Sequence, residues 1–416
     1  MTIEFPSSVA ILGAGPIGLE AALYARYLGC NVTVFEKRTV ADNVLHWGHV
    51  RMFSPFEMNC SSLGLGAIAA QDAGFRSPDP NALLTGRQWA EQYLLPLSRT
   101  DLLASTVKEQ TDVIAVGRWQ TLKGDLPSER RADQPFHILL RNTSGHEFAH
   151  TADIVIDATG TFSNPNLLGQ GGIPAIGESV LGNAIDYSIP DPWGKDRRRF
   201  ENRHTLLVGG GYSAASTAVT LAELSLTAPE TRLTWVLRQS TSRVDGCPMV
   251  RIVEDQLGER DRLAQTANQF AASDLVNCWN NTMVHSLARD QPDGDFNVEL
   301  KGDHAGMYQF DNIVANVGYH PNNQIFAELQ VPTCYVSDGP IKLAASLLQS
   351  SSANCLDQIT HGIDALKNPE PNFFVLGSKS YGRNSKFLVS LGLEQIRETF
   401  ASLAGRSDLD IYSSLT

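Results

Sequence analysis

Three glycines and one acid near the start of the chain have the spacing of a dinucleotide-binding turn. Residues 9–38 read VAILGAGPIGLEAALYARYLGCNVTVFEKR. Gly13 permits a sharp turn, Gly15 lets a pyrophosphate approach the backbone, and Gly18 lets a helix pack closely on a strand. Glu36 lies 18 positions after Gly18, where a carboxylate can grip ribose hydroxyls. The pattern predicts a dinucleotide cofactor, and a glycine-rich turn of an ordinary α/β protein is the alternative.

A second glycine turn, of the GxGxxA type, lies about 200 residues further on. Residues 209–215 read GGGYSAA, and the apolar run after them ends at Arg238, with Arg243 five residues on. No acid stands at that tip. A guanidinium can hold a 2′-phosphate by charge-assisted hydrogen bonds, whereas a carboxylate would repel it. The second turn is therefore predicted to prefer NADPH to NADH, and two surface arginines on a loop are the alternative.

Both turns need a strand before them and a helix after them, and the apolar pattern predicts these elements. Runs at 9–12 and 32–35 predict strands on either side of a helix that ends near Leu28. The second turn is preceded by an apolar run, and a helix at about 213–226 and a strand at 233–237 follow it. Two such units predict an α/β fold with two Rossmann-like domains, the second inserted in the first.

Two similar segments predict where the chain leaves and re-enters the first domain. Residues 153–166 read DIVIDATGTFSNPN and residues 311–322 read DNIVANVGYHPN. Each places a buried strand before a glycine, an aromatic residue and a Pro-Asn pair. The Gly- and Pro-rich stretch at 160–193 is predicted to be a linker between domains.

Two further stretches bear on packing. Residues 78–96 predict a turn and then a helix with Thr85 as its N-cap. Trp89, Tyr93 and Leu94 would share one face of that helix. The polar stretch at 121–135 predicts an exposed loop, with Arg130 and Arg131 solvated.

Composition narrows the class of protein. The chain has 416 residues, 42% hydrophobic and 19% charged, which predicts a globular protein of two or three domains. A net charge of -12 argues against a nucleic-acid surface. No apolar run is long enough to span a membrane, and little room precedes the first strand for a signal peptide. A cytoplasmic protein is expected.

Cysteine and histidine usage predicts no metal site. Six scattered cysteines include no CxxC pair, which suits a reducing compartment and argues against a zinc site. His46 and His49 lie three residues apart, but no cysteine or acid completes a ligand set around them.

The two turns, followed by Glu36 and by Arg238, resemble those of flavoproteins with two dinucleotide-binding domains. The resemblance covers nearly the whole chain: GAGPIG, the ATG at 158–160, GGGYSAA, VGYHPN and the late VLGSKSYGRNSKFL. Within that superfamily the chain looks most like the flavin-containing and N-hydroxylating monooxygenases. The flavin-containing monooxygenases carry an FxGxxxH motif just before the second glycine turn. This chain departs from them because its corresponding stretch, IPAIGESVLGNAIDYSIP, contains no histidine. It departs from the disulfide-reductase branch because Gly377 is followed by Ser378 rather than by Asp.

The resemblance implies an FAD enzyme that takes a hydride from NADPH. The implied domains are residues 1–194 (FAD, first part), 195–311 (NADPH) and 312–416 (FAD, second part). The implied reaction is a monooxygenation of a small substrate with a nucleophilic N, S or C atom through a flavin–oxygen adduct, with O₂ as co-substrate. The alternatives are a disulfide or peroxide reductase using Cys60, and a flavin- or nucleotide-sensing protein without turnover. The sequence does not identify the substrate or the number of subunits, and a homo-oligomer is one of the open alternatives.

The candidate site residues fall into three groups. Asn59, in the loop at 43–64 that could wrap a cofactor, is the candidate beside the flavin, and a turn asparagine is the alternative. The late strand, glycine loop and helix at 372–403 could close over the flavin end. The predicted FAD contacts are Gly13, Gly15, Pro16, Ile17, Gly18, Glu36, Lys37, Arg51, Phe53, Gly160, Gly377, Ser378, Asn384 and Phe387, and the predicted NADPH contacts are Gly209, Gly211, Tyr212, Ser213, Ala214, Arg238 and Arg243.

Overall fold

The computed structural model of the chain describes residues 7–125, 129–238, 247–252, 254–349, 356 and 358–413. The chain divides into two compact units. The first consists of residues 1–164 and 320–416, and the second of residues 165–319. The second unit is thus inserted in the first, and its limits differ from the domain boundaries placed at 195 and 311 from sequence.

The described chain contains both strands and helices. The strands are β1 (Ser8–Leu12), β2 (Asn31–Phe35), β3 (Val107–Lys108), β4 (Thr111–Arg118), β5 (Phe136–Asn142), β6 (Glu147–Ala152), β7 (Ile154–Asp157), β8 (His204–Val208), β9 (Arg232–Val236), β10 (Val276–Trp279), β11 (Thr282–Arg289), β12 (Phe296–Gly302), β13 (Gly306–Phe310), β14 (Asn312–Ala315) and β15 (Phe373–Val375). The helices are α1 (Pro16–Tyr27), α2 (Asp42–His46), α3 (Ser62–Gln71), α4 (Gly86–Trp89), α5 (Leu95–Ser98), α6 (Glu129–Ala132), α7 (Glu178–Leu181), α8 (Arg197–Phe200), α9 (Tyr212–Thr227), α10 (Gly258–Ala271), α11 (Ile341–Gln349), α12 (Ile363–Leu366) and α13 (Val389–Leu403). Short 3₁₀ turns lie at Phe56–Asn59, Gln170–Gly172, Gly182–Ala184, Asn323–Phe326 and Gly377–Tyr381.

The first unit is built on a parallel sheet of order β15-β7-β1-β2-β3, beside an antiparallel sheet β4-β5-β6. Ile11 of β1 lies opposite Val34 and Ile156, and all three side chains are fully buried. Apolar runs of this kind suit parallel strands that are covered on both faces. On one side α1 packs against α13, where Tyr24 stacks on Phe400 with ring centroids 5.4 Å apart.

The second unit repeats this plan with a parallel sheet β10-β9-β8-β14 and an antiparallel sheet β11-β12-β13. Leu207 of β8 lies opposite Trp235 and Val314. The Trp235 side chain is fully buried and its Nε1 donates to the Gly209 carbonyl at 2.8 Å. The Rossmann-like α/β fold predicted for both halves is therefore confirmed.

The helix predicted after Thr85 is present and begins with a capping box. Thr85 Oγ1 accepts from the Gln88 amide at 3.2 Å, and Gln88 Oε1 accepts from the Thr85 amide at 2.9 Å. Trp89, Tyr93 and Leu94, which are predicted to share one face of this helix, are all buried. The helix does not stay regular, because residues Ala90–Leu94 form a π-helical turn before α5 begins.

The prediction that residues 160–193 are a linker is wrong. Most of the stretch belongs to the second unit. Glu178 is buried there and accepts hydrogen bonds from the Leu168 amide at 3.0 Å, the Ala175 amide at 2.7 Å and the Tyr187 hydroxyl at 2.5 Å. This carboxylate thus ties together residues 168–187, in a segment without long helices or strands.

The prediction that Arg131 is solvated is also wrong. Its side chain is fully buried and its Nη2 lies 2.7 Å from Glu370 Oε2. Arg118 Nε donates to the other oxygen of the same carboxylate at 2.8 Å. Glu370 lies 239 residues from Arg131 in sequence, so the local pattern could not reveal this pair. The side chain of Arg130 lies outside the described residues.

Within the described chain, no helix is long and apolar enough to cross a membrane.

Candidate cofactor sites

Two glycines of the first turn are required by the protein's own backbone. Gly13 has φ +94°, and a Cβ added there would lie 2.9 Å from the Ala158 carbonyl oxygen. A Cβ on Gly18 would lie only 1.9 Å from the Gly13 carbonyl oxygen. A side chain at either position would collide with backbone, so the sharp turn and the close helix packing predicted from sequence are both present.

Gly15 differs, because nothing in the protein requires it. Its φ of -79° and ψ of -174° are open to any residue, and an added Cβ would meet no atom within 4 Å. Gly15 is the N-cap of α1 and has no side chain to bond the first free N–H groups of the helix. Open space beside unpaired N–H groups at the positive end of a helix fits a pyrophosphate. Pro16, at the first helical position, costs no hydrogen bond there.

Glu36 is positioned over this turn. Its Oε2 accepts from the Ala14 amide at 2.8 Å and its Oε1 from the Arg38 amide at 2.9 Å. Burial raises the pKa of the carboxyl above its usual value, although the two amide bonds oppose that rise. Its neighbour Lys37 is largely exposed and pairs with Asp112 at 3.0 Å. Glu36 is thus fixed against the first turn, and the contacts of Glu36 and Lys37 with FAD stay predictions.

The late glycine loop meets the first turn. Gly377 has φ +74°, and its added Cβ would lie 3.1 Å from Ile17 Cγ1. Gly160 has φ +68°, and its added Cβ would lie 3.5 Å from Ser378 Oγ. The structure therefore brings together Ile17, Gly160, Gly377 and Ser378, which are far apart in sequence.

Two more predicted contacts lie between this loop and α13. Asn384 Oδ1 accepts from the Lys386 amide at 3.0 Å. The Phe387 ring packs edge-on against Tyr381, with centroids 5.4 Å apart. Both residues thus help to shape the segment that leads into α13, and their contact with FAD stays a prediction.

The loop at 43–64 is held by its own polar groups and by backbone hydrogen bonds to residues 80–87, such as that from the Met52 amide to the Leu84 carbonyl at 2.9 Å. Asn59 is buried, and its Nδ2 donates to the Pro55 carbonyl at 2.7 Å and to Ser54 Oγ at 2.9 Å. These bonds favour the turn-asparagine alternative, and a role beside the flavin stays a prediction. Arg51 is exposed and forms a backbone bridge with Thr85, while Phe53 is half-buried.

A buried acid on α1 is a feature that the sequence analysis missed. Glu20 is fully buried and accepts hydrogen bonds from the Tyr93 hydroxyl and from Ser61 Oγ, the latter at 2.8 Å. Burial raises the pKa of Glu20 to about 7, against the opposing effect of both hydroxyl bonds. The available signal was an acid two positions after Gly18, on a helix whose other residues in that stretch are apolar.

Two of the described thiols, those of Cys60 and Cys278, are poor nucleophiles, whereas backbone hydrogen bonds from Ser337 and Val336 lower the pKa of Cys334. Burial, with the negative charges of Glu20 and Glu57, raises the pKa of Cys60 to about 12. Burial and the neighbouring Cys247 raise the pKa of Cys278 to about 11. Because the thiolate is the reactive form of cysteine, neither side chain is prepared to attack a disulfide or a peroxide.

The second turn repeats the geometry of the first. Gly209 has φ +144°, and its added Cβ would lie 2.1 Å from the Asn316 carbonyl oxygen. Gly211 has φ -101° and ψ -178°, and its added Cβ would meet no atom within 4 Å. Tyr212, Ser213 and Ala214 form the first turn of α9. The space beside Gly211 therefore fits a second pyrophosphate by the same reasoning.

Of the two arginines predicted to bind the 2′-phosphate of NADPH, only Arg238 lies within the described residues. Arg238 is exposed and lies two residues past the end of β9. Arg243 lies outside the described residues. The 2′-phosphate role of both arginines stays a prediction.

Comparisons with known proteins agree with this architecture. Residues 107–347 and residues 8–42 match two family models, both described as pyridine nucleotide-disulphide oxidoreductase. The fold resembles that of a bacillithiol disulfide reductase from Bacillus cereus, with TM-score 0.67 and 17% identity over 96% of this chain and 99% of that one. It also resembles an ornithine N-hydroxylase from Kutzneria sp. 744 (TM-score 0.58, 14% identity, 95% and 98% of the two chains). A thioredoxin reductase from T. acidophilum is similar too (TM-score 0.57, 16% identity, 95% and 97%). No curated protein matches the chain by sequence.

Proposed function

Because the chain belongs to the pyridine nucleotide-disulphide oxidoreductase family, with FAD and NAD(P)H as cofactors, we propose that it is an NADPH-dependent flavin monooxygenase. Its substrate is a small molecule with a nucleophilic nitrogen, sulfur or carbon atom. One oxygen atom of O₂ enters the substrate and the other leaves as water, while NADPH supplies two electrons.

Each cofactor is assigned to one glycine turn. FAD, when bound, supplies hydride acceptance from the nicotinamide and the reaction with O₂. The open space at Gly15 holds its pyrophosphate, and Glu36 accepts hydrogen bonds from its ribose hydroxyls. Gly211 serves the pyrophosphate of NADPH in the same way, and the Arg238 guanidinium holds the 2′-phosphate.

The observation that carries the proposal is the state of the Cys60 thiol. A reductase that works through a protein cysteine needs a thiolate, but burial and two nearby acids raise the pKa of this thiol to about 12. Electrons are therefore proposed to leave the reduced flavin without passing through Cys60. The structural likeness to an ornithine N-hydroxylase supports an oxygenase as the outcome.

The test follows NADPH and O₂ together, with and without a panel of amines, thiols and sulfides. A monooxygenase consumes both in equal amounts, and one substrate class accelerates both. The Cys60→Ser variant should keep this activity. NADPH consumption that needs no O₂, or activity that vanishes in Cys60→Ser, would contradict the proposal.

Direct reduction of a small disulfide is the second candidate. The family description names disulphide substrates, and the disulfide reductase from Bacillus cereus has a higher TM-score, 0.67, than the N-hydroxylase, 0.58. Anaerobic assays with low-molecular-weight disulfides separate the two candidates. NADPH oxidation driven by a disulfide without O₂ would favour the reductase.

A flavin sensor without turnover makes a different prediction. Its yellow colour should persist when NADPH is added, because no hydride reaches the flavin. Bleaching by NADPH, followed by return of the colour in air, is the result expected of the enzyme.

A further inference from the structure

A buried ion pair lies beside the loops assigned to FAD. Lys379 Nζ contacts Asp157 Oδ2 at 2.6 Å, and neither side chain has any exposed surface. The same ammonium donates to Thr159 Oγ1 at 3.0 Å and lies 5.2 Å from the centre of the Phe326 ring. Two full charges removed from water are costly to keep in a fold, so the pair calls for a reason.

The pair joins two segments that are distant in sequence. Asp157 is the last residue of β7, and its Oδ1 accepts from the Thr159 amide at 3.1 Å and from the Thr159 hydroxyl at 2.7 Å. Lys379 lies in the 3₁₀ turn Gly377–Tyr381. The ammonium therefore fixes the loop after β7 and the loop after β15 in one arrangement.

The far side of the 3₁₀ turn is held independently. Gln395 of α13 accepts from the Gly377 amide at 2.9 Å, and its Nε2 donates to Ser380 Oγ at 3.0 Å. Ser380 Oγ in turn donates to the Gly377 carbonyl at 2.7 Å. With the turn fixed on this side by neutral groups, the charged pair is left to set its distance from the loop that holds Thr159.

We propose that Lys379 is a positioning residue for FAD. By pairing with Asp157 and Thr159 it holds Gly160 and Ser378 at the separation that the cofactor requires. It acts through these loops and does not need to touch the reacting atoms. The inference rests on FAD as the cofactor and not on the monooxygenase proposal.

The decisive variant is the double substitution Asp157→Asn with Lys379→Met. Lys379→Met alone leaves a buried carboxylate without its cation, which should prevent folding. The double variant has no charge at positions 157 and 379, and the amide oxygen introduced at position 157 can still accept from Thr159. Its apo-form is expected to unfold within a few degrees of the parent, while the Kd for FAD rises about tenfold or more. The vibronic shape of the flavin absorption band should change as well.

A matched pair in the other unit serves as the control. Asp255 and Arg260 form a nearly buried ion pair, 2.6 Å apart, at the start of α10. The double substitution Asp255→Asn with Arg260→Met should alter thermal unfolding and leave the Kd for FAD and the flavin spectrum unchanged. The single variant Lys379→Arg, which keeps a cation beside Asp157, should bind FAD more tightly than the double variant at 157 and 379.

The assignment is overturned by either of two results. One is a double variant at 157 and 379 that binds FAD with the parent's Kd and spectrum, since the pair would then serve the fold alone. The other is a double variant that does not fold, because the pair would then be needed before any cofactor. Neither readout involves NADPH, O₂ or a substrate, so failure here is distinct from failure of the proposed function.

Discussion

The two glycine turns share what a pyrophosphate needs and differ in almost everything around it. Gly13 and Gly209 both have positive φ and pack on the backbone of the segment after a neighbouring strand, and Gly15 and Gly211 both border open space. The shared features therefore define the binding element, because the protein alone does not require glycine at the two open positions.

The differences lie in how each turn is supported. The segment behind Gly13 is held by a charged side chain, Asp157, paired with Lys379. The segment behind Gly209 is held by a neutral amide, since Asn316 Oδ1 accepts from Thr217 Oγ1 at 2.7 Å and Asn316 Nδ2 donates to the Ser188 carbonyl at 3.0 Å. The first turn thus has a charged support that is costly to bury, whereas the second has a neutral one.

The largest expected effects come from substituting the two glycines that border open space, Gly15 and Gly211. Gly15→Val should give a folded protein that retains no FAD, because an added Cβ meets no atom within 4 Å and the side chain would occupy the pyrophosphate space. Gly211→Val should stay yellow and lose reduction by NADPH. Flavin absorbance after purification and after NADPH addition checks both outcomes. Loss of FAD from the Gly211 variant alone would contradict the assignment of cofactors to turns.

The third position of each motif should separate the two turns by stability. Gly18→Ala places a Cβ 1.9 Å from the Gly13 carbonyl oxygen, and we expect a loss of about 3 kcal/mol or more in the free energy of unfolding. Ala214→Gly on the second helix should cost only about 1 kcal/mol. Urea denaturation of the two variants measures the difference. Equal losses in the free energy of unfolding would contradict the steric requirement for glycine at position 18.

The helices also differ two positions further on, where Glu20 corresponds to Ser216. The pKa of Glu20 is about 7 in the folded chain against an ordinary value of 4.5, so the folded state favours the protonated form. Its contribution to stability is complete below pH 4.5 and is lost as the pH rises to 7, by about 3 kcal/mol.

The Glu20→Gln variant should remove that pH dependence. The free energy of unfolding at pH 5 and at pH 8, measured for parent and variant, is the test. Ser216→Ala is the control, because Ser216 Oγ donates only to the Tyr212 carbonyl at 3.0 Å and does not titrate. A parent whose stability is the same at both pH values would contradict the raised pKa.

The smallest expected effect concerns Arg238, which follows β9 in the second unit as Glu36 follows β2 in the first. Arg238→Ala should raise the KM for NADPH about tenfold and barely change that for NADH, because one charge-assisted contact to the 2′-phosphate is lost. Arg232→Ala, at the other end of the same strand, is the matched control and should change neither KM. Equal effects of Arg238→Ala on both nucleotides would count against its phosphate role.

Features with a local cause were predictable from sequence. The glycine turns and the Thr85 N-cap depend on residues close together in sequence, and local apolar runs mark individual strands of both parallel sheets. The sequence-based strand at 233–237 needed only a one-residue shift to Arg232–Val236.

Features that depend on distant partners were not predictable. Arg131 looks like a solvated loop residue until Glu370 is brought beside it, and Lys379 shows no function until Asp157 is placed within reach. The stretch at 160–193 resembles a linker in sequence because its order comes from distant contacts, such as those of the Glu178 carboxylate and the backbone bridges of Gly169 and Ile176 to β11. Burial and pairing across hundreds of residues are properties of the fold, and no local period encodes them.

The position of β15 has a consequence for the order in which the molecule is completed. This strand pairs with β7 at one side of the first sheet, and it is made only after the whole inserted unit. As the ribosome advances, residues 165–319 are continuous and can form their sheets while the first unit still lacks β15, Lys379 and α13. On the proposed assignment of FAD to the first unit, a nascent chain that stalls before residue 373 can carry a folded second unit but cannot yet hold the flavin.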